Sequence, residues 1–319
     1  MSTGVLIVGL GQIGMGYDLA LDPTLHVYSH ARAFNQHPRF DLLGAVDPQP
    51  RLRVTFTETY AAPAFDDLDS ALAELQPQVV VIAVPTQFHA QTLRRVIASG
   101  IAKTVLCEKP LSYDLGEARS MVEECAAAGV SLYVNYMRRS DIGVIEYKRR
   151  LKAGEIAMPE KGVVWYSKGF LHNGSHFFNL LEYWLGPMRS SRLLNRGRKW
   201  QDTDPEPDVE VIFGSSAVVF LAAWEEAFSH YTLELLSRNG RLRYERGGKL
   251  IQWQSARQDP QLQSYTTLAE TPELIPSGMD RYQLQVAEQL ARAMEGRDAH
   301  LCSGAAALNT LSSMNAILE

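Results

Sequence analysis

A chain of 319 residues, 46% hydrophobic and 21% charged, is long enough for two domains with cores of their own. Its net charge of -5 gives no electrostatic reason for a nucleic-acid partner or an anionic membrane, and no uncharged apolar run reaches the length of a bilayer span. Three scattered cysteines, Cys107, Cys125 and Cys302, exclude a disulfide framework and fit reduced thiols. With no basic stretch before the first apolar run, the expected location is the cytoplasm.

The first apolar run, Val5-Leu6-Ile7-Val8, breaks into Gly9-Leu10-Gly11-Gln12-Ile13-Gly14. A short, β-branched run of this kind suits a strand buried on both faces. Gly9 permits the tight turn, Gly11 lets a pyrophosphate approach the backbone, and Gly14 lets the following helix sit close to the strand. The free N–H groups at that helix start would face the phosphates. The bland alternative is a glycine-rich turn without a ligand. The preceding strand and an acidic residue downstream favour dinucleotide binding.

Residues 17–29 depart from a minimal βαβ unit and read as an insertion, turned at Asp22-Pro23, with a helix resuming near His30. The insertion is a candidate cover for the cofactor. The next strand, 40–46, ends at Asp47-Pro48. A carboxylate there accepts both ribose hydroxyls of an adenosine and repels a 2′-phosphate, which points to NAD rather than NADP. The alternative is an Asp that only opens an Asp-Pro turn. Further on come a short helix within 65–75, a buried strand at 79–84 closed by Pro85-Thr86, and a helix from 87 to 99 stopped by Gly100. Strand 104–107 runs into Glu108-Lys109-Pro110. Asp114 and Glu117 form a candidate capping box for a helix reaching Gly129, and strand 130–134 follows. Strands alternating with helices predict an α/β Rossmann domain with a doubly wound parallel sheet. Gly9, Asp47, Pro85, Lys109 and Asn135 then all lie at carboxyl ends of strands, where such sheets bind ligands.

From about residue 140 the pattern changes. A helix near 144–154 is followed by strand-like stretches at 162–167, 209–213, 217–224, 232–237, 241–245 and 250–253, with hairpin signals at Gly214-Ser215 and Asn239-Gly240. Residues 201–207 read as a loop, and helices close the chain near 281–294 and 304–318. The expectation is a Rossmann domain over 1–135 and an α+β domain with a large open, mostly antiparallel sheet over 136–319.

Three constellations carry chemistry. Lys109, at a strand end beside a nicotinamide site, can bond a substrate hydroxyl and stabilise charge developing on its oxygen; otherwise it is a solvated lysine with a packed stem. His176 begins a helix over 175–185, with Asn179 and Tyr183 on the same polar face and His172 close by. An imidazole titrates near neutrality, and the helix N-terminus favours its neutral form, as a base requires. A core histidine is the alternative. His172 and His176 have a spacing that suits zinc on one helix, but Gly174 between them argues against a continuous helix and the glutamate of the zinc-protease motif is missing, so no metal is expected. Asn135 and Arg138 follow the last strand of the first domain. They fit either a ligand contact or a hinge equally well.

These residues resemble the glucose-fructose oxidoreductase / inositol dehydrogenase / MocA family along essentially the whole chain. The resemblance rests on the glycine motif, Asp47, Val84-Pro85-Thr86-Gln87-Phe88-His89, Glu108-Lys109-Pro110 and Gly174-Ser175-His176. It implies an NAD(P)-dependent oxidoreductase acting on a sugar, polyol or sugar nucleotide. Cofactor contacts would come from Gly9, Gly11, Gln12, Ile13, Gly14, Asp47, Pro85, Thr86, His89, Glu108 and Lys109. Lys109 matches the family's active-site lysine and His176 its catalytic histidine. His172 and Asn179 stand where the family often has aspartates, His172 as a further catalytic candidate. Asn135, Arg138, Tyr166, Lys168 and Asn179 are candidate substrate contacts. The resemblance also implies a homodimer or homotetramer formed through the C-terminal sheet. Redox-neutral lyase or epimerase chemistry on tightly held NAD, and a non-catalytic sensing role, are the alternatives on the same fold.

Overall fold

The computed structural model describes residues 2–225 and 227–319. Elements alternate through the first part of the chain: β1 (Thr3–Val8), α1 (His30–Gln36), β2 (Phe40–Val46), α2 (Pro50–Tyr60), β3 (Ala64–Phe65), α3 (Leu68–Leu75), β4 (Val79–Ile82), α4 (His89–Ser99), β5 (Thr104–Cys107), α5 (Leu115–Ala127) and β6 (Ser131–Val134). The strands lie in the order β3-β2-β1-β4-β5-β6, all parallel. Val5, Leu6, Ile7 and all of β4 are fully buried, as continuous apolar strands covered on both faces should be. The order reverses between β1 and β4, which opens a crevice beyond their carboxyl ends.

The second part runs through α6 (Ile142–Lys152), β7 (Lys161–Tyr166), α7 (Ser175–Leu185), β8 (Met188–Trp200), β9 (Asp204–Phe213), β10 (Ser216–Ala222), β11 (Thr232–Ser237), β12 (Gly240–Glu245), β13 (Leu250–Gln258), β14 (Thr266–Leu268) and β15 (Glu273–Ile275). Its sheet has the order β14-β13-β12-β11-β7-β10-β9-β8, with β15 also on β13. The β7–β10 pair is parallel and the other pairs are antiparallel. One face carries Val164, Phe213, Phe220, Leu235 and Tyr244 into a core with Phe177, Phe178 and Leu181 of α7. The chain closes with α8 (Tyr282–Met294), β16 (Cys302–Ser303) and α9 (Gly304–Leu318).

Two compact units result: residues up to Ser140 together with Asp280–Asn309, and Asp141–Met279 together with Thr310–Glu319. The return of residues 280–309 to the first unit has no counterpart in a division at residue 135. Val286, Ala287 and Leu290 of α8 share a core with Ala31 and Phe34 of α1, and β16 pairs antiparallel with β6 at the sheet edge.

Two local expectations are corrected. Residues 201–207 are not all loop, because β9 begins at Asp204 and pairs with β8. Its partner β8 left no sign in the sequence because it is exposed along nearly all its length and so has no apolar alternation. Nor does a helix follow Gly14 directly. After one turn, in which Met15 N–H donates to Gly11 O and Tyr17 N–H to Gln12 O, the chain leaves for the insertion. It returns with His30 N–H on Ile13 O (3.0 Å) and Ala31 N–H on Gly14 O (2.9 Å). The helix is thus split, and its two parts are hydrogen-bonded across the gap.

Candidate cofactor cleft and catalytic residues

The crevice beyond β1, β2 and β4 is a cleft of about 710 Å³ within the first unit. Gly9, Gly11, Gln12 and Ile13 form one side, Asp47, Pro48 and Gln49 another, and Ala83, Val84 and Pro85 the floor beyond β4, with Tyr17 of the insertion also lining it. Each glycine has a distinct constraint. A Cβ on Gly14 would stand 2.0 Å from Gly9 O, and Gly9 itself has φ +103° with Ala83 backbone 2.6 Å from its Cβ position. A Cβ on Gly11 would meet nothing within 4 Å. It would enter the open cleft, which is the cradle a pyrophosphate needs against bare backbone. The residues present therefore fit a dinucleotide.

Asp47 is held from both sides. Leu10 N–H donates to Oδ2 and Gln49 N–H to Oδ1, each at 2.8 Å. These bonds tie the end of β2 to the glycine turn and fix a carboxylate on the cleft wall. Pro85 lines the cleft; Thr86, on the turn before α4, does not. His89 is buried, its Nδ1 3.1 Å from Pro110 O and its Nε2 3.0 Å from Val84 O. Burial lowers its pKa against the pull of these carbonyls. The ring clamps the strand ends after β4 and β5 and stands outside the cleft lining.

Glu108-Lys109-Pro110 follows β5, with a cis peptide at Lys109-Pro110 and Lys109 half-buried. Glu108 Oε1 lies 2.7 Å from His30 Nε2 and accepts from Asn135 Nδ2 at 2.6 Å. Burial works to raise the Glu108 pKa, but the bonds from His30 and Asn135 and the charge of Lys109 outweigh it, and the net shift is downward. The structure thus joins Asn135 to Glu108. It also adds His30, which the sequence offered only as a helix residue, since the insertion separates it from the glycine motif.

In the second unit, Gly174 does not interrupt the helix. Residues Gly169–Gly174 form a π-helical turn that runs straight into α7, with Gly174 itself helical (φ -56°, ψ -33°). The start of this turn is met by carboxylates: Leu171 N–H and His172 N–H donate to Asp204 at 3.0 and 2.7 Å, and Gly169 N–H donates to Glu206 at 3.1 Å. The helix-end field expected at His176 therefore belongs to residues 169–172. Burial raises the Asp204 pKa against these donors.

His176 is buried on the first turn of α7, whereas His172 is exposed and its ring stacks on Trp200 at 5.2 Å. Asn179 is fully buried and donates to Thr310 Oγ1 at 2.9 Å, and Tyr166 is a core residue whose hydroxyl donates to Pro207 O at 2.7 Å. Both are committed to the protein's own structure. Lys168 adopts φ +64° ahead of the π turn, and Arg138 is buried in a short 3-10 turn after β6. Among the described residues no group of three or more His, Cys, Asp or Glu is placed to hold a metal ion, and no helix is long and apolar enough to cross a membrane.

Comparison with known proteins agrees with this cleft. Residues 3–136 match the model of an oxidoreductase family with an NAD-binding Rossmann fold. Over 91 residues the chain is 36% identical to a scyllo-inositol 2-dehydrogenase (NAD(+)) from Bacillus subtilis, a match covering 28% of this chain and 25% of that enzyme's length. Among solved structures it resembles an aldose-aldose oxidoreductase from Caulobacter crescentus complexed with glycerol (TM-score 0.78, 16% identity, 99% and 96% of the two chains). It also resembles a 3-ketoreductase from Actinomadura kijaniata in complex with TDP-benzene and NADP (TM-score 0.75, 16% identity, 99% and 97%). At these identities the structural likeness speaks for the fold. Residues 3–136, the parallel-sheet part of the first unit, thus carry the NAD-binding Rossmann domain of that oxidoreductase family.

Proposed function

We propose that this chain is an NAD(P)-dependent dehydrogenase or reductase that interconverts a CH–OH group and a carbonyl on a sugar, polyol or sugar nucleotide. The observation that carries the proposal is the cleft in which bare Gly11 backbone faces open space across from an anchored Asp47. When bound there, a nicotinamide dinucleotide supplies the hydride acceptor or donor. Gly11 and its neighbours hold the pyrophosphate, and Asp47 accepts the adenosine ribose hydroxyls, which favours NAD over NADP. Glu108, kept anionic by His30 and Asn135, sits one residue from Lys109 and offsets its charge. Lys109 donates to the substrate oxygen and stabilises negative charge on it. His176 takes the hydroxyl proton on oxidation and returns it on reduction. His172, exposed and stacked on Trp200, is a candidate substrate contact.

The open face of the second sheet suits a second copy of the chain. Val163, Trp165 and Leu236 are exposed there, with Val219 beside Val163 and Leu221 beside Trp165. Such an apolar sheet face is normally covered.

The test is absorbance at the reduced-nicotinamide band with inositols, uronic acids, aldoses and nucleotide sugars as substrates. Lys109→Ala is expected to lower kcat by about 100-fold or more while leaving cofactor affinity nearly unchanged. Full turnover in that variant would remove Lys109 from the mechanism.

A further inference from the structure

The inserted segment is held as firmly as a core element. Asp18 is fully buried, and its carboxylate accepts from Tyr28 N–H (2.6 Å), Ser29 N–H (2.8 Å) and Ser29 Oγ (2.7 Å), with Arg32 Nε at 3.5 Å. Arg32 in turn donates to Leu21 O and His26 O, closing the segment on itself. On its far side Tyr28 stacks on Tyr282 with ring centroids 5.3 Å apart, and Val27 N–H bonds Asp280 O, so the start of α8 and the turn before it brace it as well. A surface loop of ordinary sequence has no such set of buried charge and main-chain bonds.

The residue just before this anchor is Tyr17. Its N–H closes the single helical turn after the glycine motif, and its side chain lines the cleft while remaining 54% exposed. A large aromatic ring is thus kept beside a ligand cleft on a backbone that cannot easily move it away. A ring fixed in place loses little freedom when a ligand packs against it, so its contact converts into affinity with small entropic loss.

We infer that Tyr17 is a cofactor-retaining residue: its ring packs on the dinucleotide bound in the cleft, and the Asp18-anchored insertion exists to hold it there. This rests on the cofactor reading above. The dinucleotide is then slow to leave, and the insertion acts as a fixed wall.

The test uses the full chain and NADH fluorescence, with equilibrium titration and stopped-flow dissociation. Tyr17→Ala is expected to raise Kd and the dissociation rate about tenfold, the size of one lost aromatic contact. Tyr17→Phe stays within about twofold of the unaltered chain. Leu25→Ala, an exposed change elsewhere in the insertion and outside the cleft lining, leaves both unchanged. Unchanged NADH retention in Tyr17→Ala overturns the inference while the cofactor reading stands. An equal loss in Leu25→Ala overturns it too, by assigning the effect to the segment as a whole. Failure of the unaltered chain to bind NADH or NADPH overturns the cofactor reading, and this inference with it.

Discussion

Glu160 shows how a single buried acid is read from its surroundings. It is fully buried in the second unit, one oxygen bonded by the Tyr147 hydroxyl, its own N–H on Ser216 Oγ, and its second oxygen without a hydrogen bond among the described residues. Burial pushes its carboxyl up to about 7, against the pull of Tyr147. A carboxyl whose pKa rises on folding holds its proton more tightly in the native state. Its contribution is therefore complete below about 4.5 and is lost as pH climbs through about 7. The loss is roughly 3 kcal/mol by linkage. Thermal stability should fall between pH 5 and pH 8, and Glu160→Gln, which cannot ionise, should flatten that decline and be the more stable chain at pH 8. A parallel decline in both chains would place the cause elsewhere. Glu108, less deeply buried, is the opposite case: two donors on one oxygen hold it charged where Glu160 has one. Nothing in the sequence separates these two glutamates, because the donors reach them from residues far along the chain.

At the scale of elements, legibility followed burial pattern. The strands β2 and β5 and the helices α7 and α9 could be bounded from sequence because apolar period and punctuation agree there. At α5 the capping signal was legible in part. Asp114 accepts Glu117 N–H at 2.7 Å, but the Glu117 side chain bonds Ser112 Oγ at 2.6 Å, and Ser112 accepts from Asp114 N–H, so the reciprocal half runs through a third residue. The α2 helix escaped notice because Phe56 alone is buried along it. Of the candidate site, the glycine turn, Asp47 and Pro85 could be read because local backbone chemistry demands those residue types. The fates of Asn179 and Tyr166 could not, since both are decided by partners, Thr310 and Pro207, distant in sequence. The split helix gives the element-scale prediction. Asp18→Ala removes the acceptor of three hydrogen bonds and leaves Arg32 beside an empty site. It should cost about 3 kcal/mol in chemical denaturation, whereas Asp22→Ala, at the exposed tip, should cost under about 1. Equal effects of the two would show that the anchor does not carry the segment.

For the whole molecule, two compact units built from interleaved stretches of chain mean that neither is a simple terminal fragment. A chain cut after residue 279 lacks α8, whose Val286, Ala287 and Leu290 complete the core around Phe34. The composition and alternation of strands announced an α/β first unit and an antiparallel second one, but a helix returning from the far end of the chain leaves no local mark. Assembly is the prediction proper to this scale. The unaltered chain should sediment as a dimer or larger, and Trp165→Asp on the open sheet face should shift it toward the monomer. A monomer in both cases would leave that face without a second copy.

The join between Ile13-Gly14 and His30-Ala31 makes the excursion from Asp18 to Ser29 separable from the helix it divides. Because the carbonyls of the first piece already receive the amides of the second, splicing Tyr17 to His30 would heal the rod in register, with no domain redesign around it. Equally, foreign sequence grafted at Pro23-Thr24 would hang from a clamped stem. The chain thus offers protein engineers a socket next to its ligand cleft, with the neighbouring glycine turn left untouched.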